Sequence, residues 1–176
     1  MTAKPVSFFL LTASSLLLTA SVPPKPANLC QAGETVVFSF ATKAGKTAAL
    51  CRGSKGAYLV YRFGTAAKVE LQYPAKLDAS SWQKFTYWAY SRGGGVANEG
   101  VESSQLAFKN GGVEYTMSDE TRAVYDKNHE EDYRRSVGID VKINGKTVSI
   151  AGLAATAVGD LSNVKNDGKV KMDEEM

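Results

Sequence analysis

The chain predicts an all-β fold, a single barrel or sandwich of about eight strands built from antiparallel hairpins, with little helix. Three observations carry this. Apolar and polar residues alternate at period two along most of the chain from residue 30 to residue 153. Asn-Gly and Gly-rich turn signals separate the alternating runs. Spacings of three and four, which would mark amphipathic helices, are scarce.

The first 21 residues place Lys4 ahead of an uncharged, mostly apolar run from Phe8 to Ala20 and close on the small residues Thr19, Ala20 and Ser21. This is the layout of a secretory signal peptide, residues 1–21, cut after Ala20 or one residue later. The run is shorter than the ~20 residues that a membrane-spanning helix needs. Residues 22–29, VPPKPANL, carry three prolines and read as an extended segment.

Export brings the chain into an oxidising compartment, where two cysteines are expected to pair. Cys30 and Cys51 are the two in the sequence. A zinc site would need about four ligands at close spacing, and the chain adds only one distant His. The Cys-x-x-Cys of redox catalysis is absent. A lipid anchor would need small residues just ahead of the modified Cys, yet Cys30 follows Ala27-Asn28-Leu29. The pair is therefore expected to be a structural staple.

A single β domain is expected over residues 30–160. In the first hairpin Val36, Phe38 and Phe40 alternate before a turn near Lys43 to Lys46, and TAALC returns. A turn near Ala44-Gly45 would set Cys51 against Phe38, so either the segment Cys30 to Glu34 doubles back or Cys30 approaches from a neighbouring strand. The second hairpin, AYLVYRFGTAAKVELQYP, is expected to turn over Gly64 to Ala67, with Val60 against Leu71 and Tyr58 against Tyr73. FTYWAY then reads as a strand with aromatics on both faces. A short strand follows near Val101. QLAFKNGGVEYTM is expected to turn at Asn110-Gly111, pairing Phe108 with Val113 and Leu106 with Tyr115.

The charged stretch 118–136 is expected to hold a short helix capped by Ser118. SVGIDVKINGKTVSIAGL gives the clearest hairpin: a type I′ turn at Asn144-Gly145 pairs Ile143 with Lys146, Val141 with Val148 and Ile139 with Ile150. Residues 161–176 read as a charged, disordered tail.

The full chain carries 21 Lys+Arg against 18 Asp+Glu, and removing the signal costs only Lys4. That balance lacks the excess of a nucleic-acid binder. No second long apolar stretch follows the signal, so no integral membrane span is expected after cleavage.

Motifs for chemistry are sparse. His129 lacks the partner His of a zinc-protease helix. Asp126, Asn128, Glu130 and Asp132 supply alternating oxygen ligands, but Glu131 and Val137 occupy positions where a calcium loop needs Gly and Glu; Asp126, Glu130 and Asp132 are the candidates for a cation site. The serine-hydrolase elbow and phosphate-cradling glycine motifs are absent, and SRGGG, residues 91–95, reads as a turn. Glu99, Glu102, Glu114 and Asp119 are the acids from which a glycosidase pair would be drawn. The stronger signal is the aromatic cluster Trp82, Phe85, Tyr87, Trp88 and Tyr90, flanked by Lys84 and Arg92. Exposed rings bind sugars and partner anchors.

The string CQAGETVVFSFATKAGKTAALC through GAYLVYRFGTAAKVELQYP, residues 30–74, resembles a family of small, exported, uncharacterised proteins of Gram-negative bacteria. Ser39 stands where relatives often carry a cysteine, so the Cys30–Cys51 pairing is not carried over from the family. The resemblance implies export and a β fold, and no activity. The expectation is a periplasmic or secreted, monomeric or weakly associating, noncatalytic binding module without a cofactor. It would act as an inhibitor or adaptor that recognises an envelope protein or glycan through Trp82, Tyr87, Trp88, Tyr90 and Arg92. The alternatives are an envelope-polymer hydrolase using acidic residues and a cation-dependent structural protein.

Overall fold

A computed structural model of the chain describes residues 28–95, 98–125 and 131–173. The predicted signal peptide, most of the Pro-rich segment, Asp126, His129 and Glu130 lie outside them.

Two sheets stack as a sandwich. The first runs in the order β10-β1-β2-β3-β4 and is built from β1 (Thr35–Ala41), β2 (Thr47–Arg52), β3 (Leu59–Thr65), β4 (Lys68–Tyr73) and the short β10 (Val158–Gly159). The second runs β11-β5-β6-β7-β8-β9. It comprises β5 (Thr86–Arg92), β6 (Val101–Asn110), β7 (Val113–Tyr125), β8 (Glu131–Ile143), β9 (Lys146–Ala151) and the two-residue β11 (Lys171–Met172). Neighbouring strands are antiparallel, except that β11 joins β5 in parallel. Of the eleven strands among the described residues, nine are long enough to show a period, and β10 and β11, two residues each, are not.

Alternation decides what meets between the sheets. Phe38, Phe40, Leu50, Leu59 and Tyr61 point in from the first sheet, and Phe85, Tyr87, Leu106, Phe108, Met117 and Ile139 from the second. Each fully buried large apolar side chain contributes about 1.5–3 kcal/mol. Tyr73, Phe108 and Tyr115 form a run of near-parallel rings, 4.5 and 4.9 Å between centroids, with Phe85 edge-on to the first two.

The Asn144-Gly145 hairpin has the predicted register, Ile143 with Lys146 through Ile139 with Ile150. The other three are shifted. The β6–β7 turn is Gly111-Gly112, so Phe108 faces Tyr115 and Leu106 faces Met117. Both glycines sit at positive φ, 56° and 81°, as a type I′ turn requires. In the β3–β4 hairpin the loop is Ala66-Ala67, and Tyr61 rather than Tyr58 faces Tyr73. The turn position accounts for two residues of the shift, and a bulge opposite Gly64, where φ is 146° and a Cβ would lie 2.3 Å from the Lys68 carbonyl oxygen, adds the third.

The stretch 118–136 holds no short helix among its described residues. Its ends extend β7 and β8 to 13 residues each, because Met117, Asp119 and Ala123 keep an inward period of two beneath the charges. The tail prediction is corrected as well. Leu161 and Val164, three apart on the 3-10 turn Leu161–Asp167, are fully buried, and Val170 is nearly so. Three apolar anchors hold residues 161–173 against the core despite the surrounding charge.

Cys51 faces Val36 across β1–β2, past a bulge between Val36 and Phe38. Residues 30–34 double back, with Glu34 N–H donating to the Gln31 carbonyl oxygen, and the Cys30–Cys51 disulfide closes there. Leu29, Cys30 and Cys51 pack with Ala49, Val60, Tyr58 and Leu77 in a second apolar cluster. This cluster lies on the outside of the first sheet.

Candidate functional site

The aromatic strand splits its side chains by period two. Phe85 and Tyr87 point inward and are fully buried; the Tyr87 hydroxyl lies 2.9 Å from Ser104 Oγ. Trp82, on the 3-10 turn Ala79–Lys84, is buried too, its Nε1–H donating to the Gly56 carbonyl oxygen at 3.1 Å. Trp82 and Tyr87 are therefore removed from the predicted binding set: they are core residues.

Trp88, Tyr90 and Arg92 point to the outer face of the second sheet. The Trp88 and Tyr90 rings lie 6.1 Å apart and only 9° from parallel, and Tyr90 is 44% exposed. Opposite them on β6 stand Gln105 and Ser103, followed on β7 by Ser118 and Glu120. Arg92 pairs with Val101, beyond which comes Arg122. Arg122 Nε donates to Glu120 Oε1 at 2.7 Å, while Arg92 Nη2 donates to the Glu99 carbonyl oxygen at 3.0 Å. The face thus combines two aligned rings with amide, hydroxyl, carboxylate and guanidinium groups on three rigid strands. Such a surface suits polyhydroxylated ligands, whose apolar faces stack on rings while hydroxyls take the polar groups.

A cavity of about 460 Å³ opens at one end of this face, where Thr86 and Ala107 form the cross-strand pair next to Trp88 and Gln105. Tyr73 and Phe108 line it on the core side, and Lys84, Lys109 and Lys171 on the solvent side. Near the Arg92 end of the sheet two smaller clefts share Glu102 and Thr121, whose side chains alternate to the face opposite Ser103 and Glu120.

The acid candidates do not gather into one site. Glu102 and Asp119 line one cleft of about 180 Å³ with Arg135 and Asp160. Both Asp119 oxygens accept from Arg135, from Nε and Nη2 at 2.7 Å each, and this bonding raises the Arg135 pKa. Glu114 pairs with Lys109 at 3.4 Å, and Glu99 lies 4.0 Å from Arg122. Asp132 Oδ1 accepts from the Tyr133 N–H.

Among the described residues, one trio of possible metal ligands lies within mutual reach: Cys30, Glu34 and Cys51. Its sulfurs are consumed by the disulfide, and Glu34 is engaged by Arg62.

No family model, curated protein or solved structure matches the chain. The geometry alone therefore bears on function. Sequence reasoning missed Tyr73, Phe108 and Lys171, which line the large cavity. They come from three separate parts of the chain, and only the β11–β5 pairing brings Lys171 beside Thr86.

Proposed function

We propose that the protein is an exported, noncatalytic binding module that recognises a cell-envelope glycan through the outer face of its second sheet. The observation that carries this reading is the aligned Trp88–Tyr90 pair, held outward on β5 and bordered by Gln105, Ser103 and Glu120. Two neighbouring rings aligned on the outside of a sheet form a flat apolar surface of the kind that stacks on a sugar or a partner anchor. The disulfide is in keeping with a periplasmic or secreted location. No helix among the described residues is long and apolar enough to cross a membrane.

The test is a pull-down from envelope extracts and from purified envelope polysaccharide, using the mature protein and its Trp88→Ala and Tyr90→Ala variants. Retention on polysaccharide should fall at least tenfold in both variants. Retention indifferent to both rings would sink the reading, and capture of envelope proteins alone would replace the glycan with a protein partner.

A further inference from the structure

We infer that the cavity at the Thr86–Ala107 end of the face is a site for an acidic sugar residue, one bearing a carboxylate or a phosphate. The inference rests on the glycan-binding reading and specifies the charge of the ligand.

The recess exists because of side-chain size. Trp88 and Gln105 form one cross-strand pair on the outer face, and Thr86 and Ala107 form the next, about 7 Å along the strand. Two long side chains give way to two short ones, and a hollow of about 460 Å³ follows.

Its floor is rigid. The Tyr73 and Phe108 rings stack at 4.5 Å with 15° between their planes, and Phe85 braces both edge-on. Phe108, 4% exposed, has Tyr73 on one face and Tyr115 on the other, so half-buried Tyr73 is the ring left to meet the apolar face of a sugar.

Its rim is basic. Lys84 ends the 3-10 turn Ala79–Lys84, Lys109 lies near the end of β6, and Lys171 belongs to β11. Their charges are not equally engaged. Lys109 faces Glu114 across the strands at 3.4 Å. Lys169, just outside the rim, is spent on structure: its ammonium donates to the Gly56 carbonyl oxygen at 3.0 Å and sits 5.5 Å over the Trp82 ring. Lys84 and Lys171 have no carboxylate bridge among the described residues. Asp173 also lines the cavity, held by its own N–H to the Tyr87 carbonyl oxygen. Gln83 is anchored by its amide to the Lys169 carbonyl oxygen, which leaves its Oε1 as an acceptor for a hydroxyl. The Tyr73 ring, a polar amide and two lysines without a carboxylate bridge among the described residues match a sugar with one negative substituent.

The experiment is an amide-resolved NMR titration of the mature protein with glucuronate, glucose 6-phosphate, glucose and inorganic phosphate. At least one charged sugar should give saturable shifts at Lys84, Thr86, Ala107, Lys109 and Lys171, and the stronger of the two identifies carboxylate or phosphate as the preferred group. Glucose and inorganic phosphate should each bind at least tenfold more weakly. The double variant Lys84→Gln/Lys171→Gln should lose at least tenfold in affinity while keeping the wild-type melting temperature.

Absence of saturable shifts at these amides with both charged sugars would overturn the inference. So would glucose or inorganic phosphate binding as well as the charged sugars, or an unchanged double variant. The two readings fail separately. Polysaccharide retention that needs Trp88, with a flat charged-sugar titration, removes the acidic-sugar site and keeps the sheet face. A saturable titration with retention indifferent to both rings does the reverse.

Discussion

Arg62 and Glu34 meet fork to fork on the outside of the first sheet, Nη1 to Oε2 at 2.6 Å and Nη2 to Oε1 at 2.9 Å, with side chains 0% and 1% exposed. Further hydrogen bonds surround the pair. Arg62 Nε donates to Gln72 Oε1, and Glu34 accepts from the Tyr58 hydroxyl and the Gln31 N–H. Removing one partner leaves the other charge buried and alone, at a cost of about 3–5 kcal/mol. Glu34→Leu and Arg62→Met should each lower stability by this amount in urea unfolding. The double variant should recover a large part of it, because no lone charge remains.

The same contacts fix a pH dependence. Burial pushes the Glu34 carboxyl up, but the hydrogen bonds from Arg62, the Gln31 N–H and Tyr58, with the Arg62 charge, outweigh it, and the pKa lies below its ordinary value. An unfolded glutamate titrates near about 4.3. The unfolded chain therefore takes up the proton first as pH falls, so the contribution of Glu34 is complete above that value and is lost as pH drops through the folded pKa. Thermal melts between pH 3 and 7 should show a falling acid limb, shallower in Glu34→Gln. Equal limbs in the two proteins would count against this assignment.

The disulfide closes a loop with a sequence separation of 21. By the loop-entropy relation it contributes about 3 kcal/mol. Cys30→Ser/Cys51→Ser should shift the urea midpoint down by that equivalent, and reducing agent should do the same to wild type and nothing to the variant.

The two tryptophans should part company. Trp82→Ala removes a fully buried ring and a hydrogen bond and should cost about 3–5 kcal/mol. Trp88→Ala on the outer face should cost far less and remove ligand retention instead. Denaturation curves beside a binding assay separate the two effects.

Gly152 lies where the sheets touch. A Cβ there would come within 2.4 Å of the Phe40 ring and 2.7 Å of the Val137 side chain. Gly152→Ala should lower stability by about 1–3 kcal/mol through overpacking, read from the same urea curves.

What the sequence disclosed follows from which forces are local. The Asn144-Gly145 register was legible because its turn residues and its apolar face agree. KNGGV offers two overlapping turns with the same inward face, so period two cannot choose between them and the shift by two residues went unseen. The Gly64 bulge depends on a close backbone approach that no pattern announces. Arg62 left a trace, a charge inside the apolar run YLVYRFG, but Glu34 is 28 positions away and only the folded flap brings them together. In the candidate site, Trp88, Tyr90 and Arg92 could be read as one face from alternation. That Trp82 and Tyr87 turn inward depended on the opposite sheet, and the cavity depended on β11, a strand of two residues.

The flap stapled by Cys30–Cys51 also sets a direction. It lies on the outside of the first sheet, whereas Trp88 and Tyr90 lie on the outside of the second, so Leu29 and Cys30 sit on the side opposite the rings. A handle placed ahead of Asn28 would hold the molecule on a surface with its aromatic side toward solution. One placed after Asp173 would emerge beside Lys171 and crowd the cavity. Immobilisation through the first end should therefore preserve ligand capture, and through the second should blunt it.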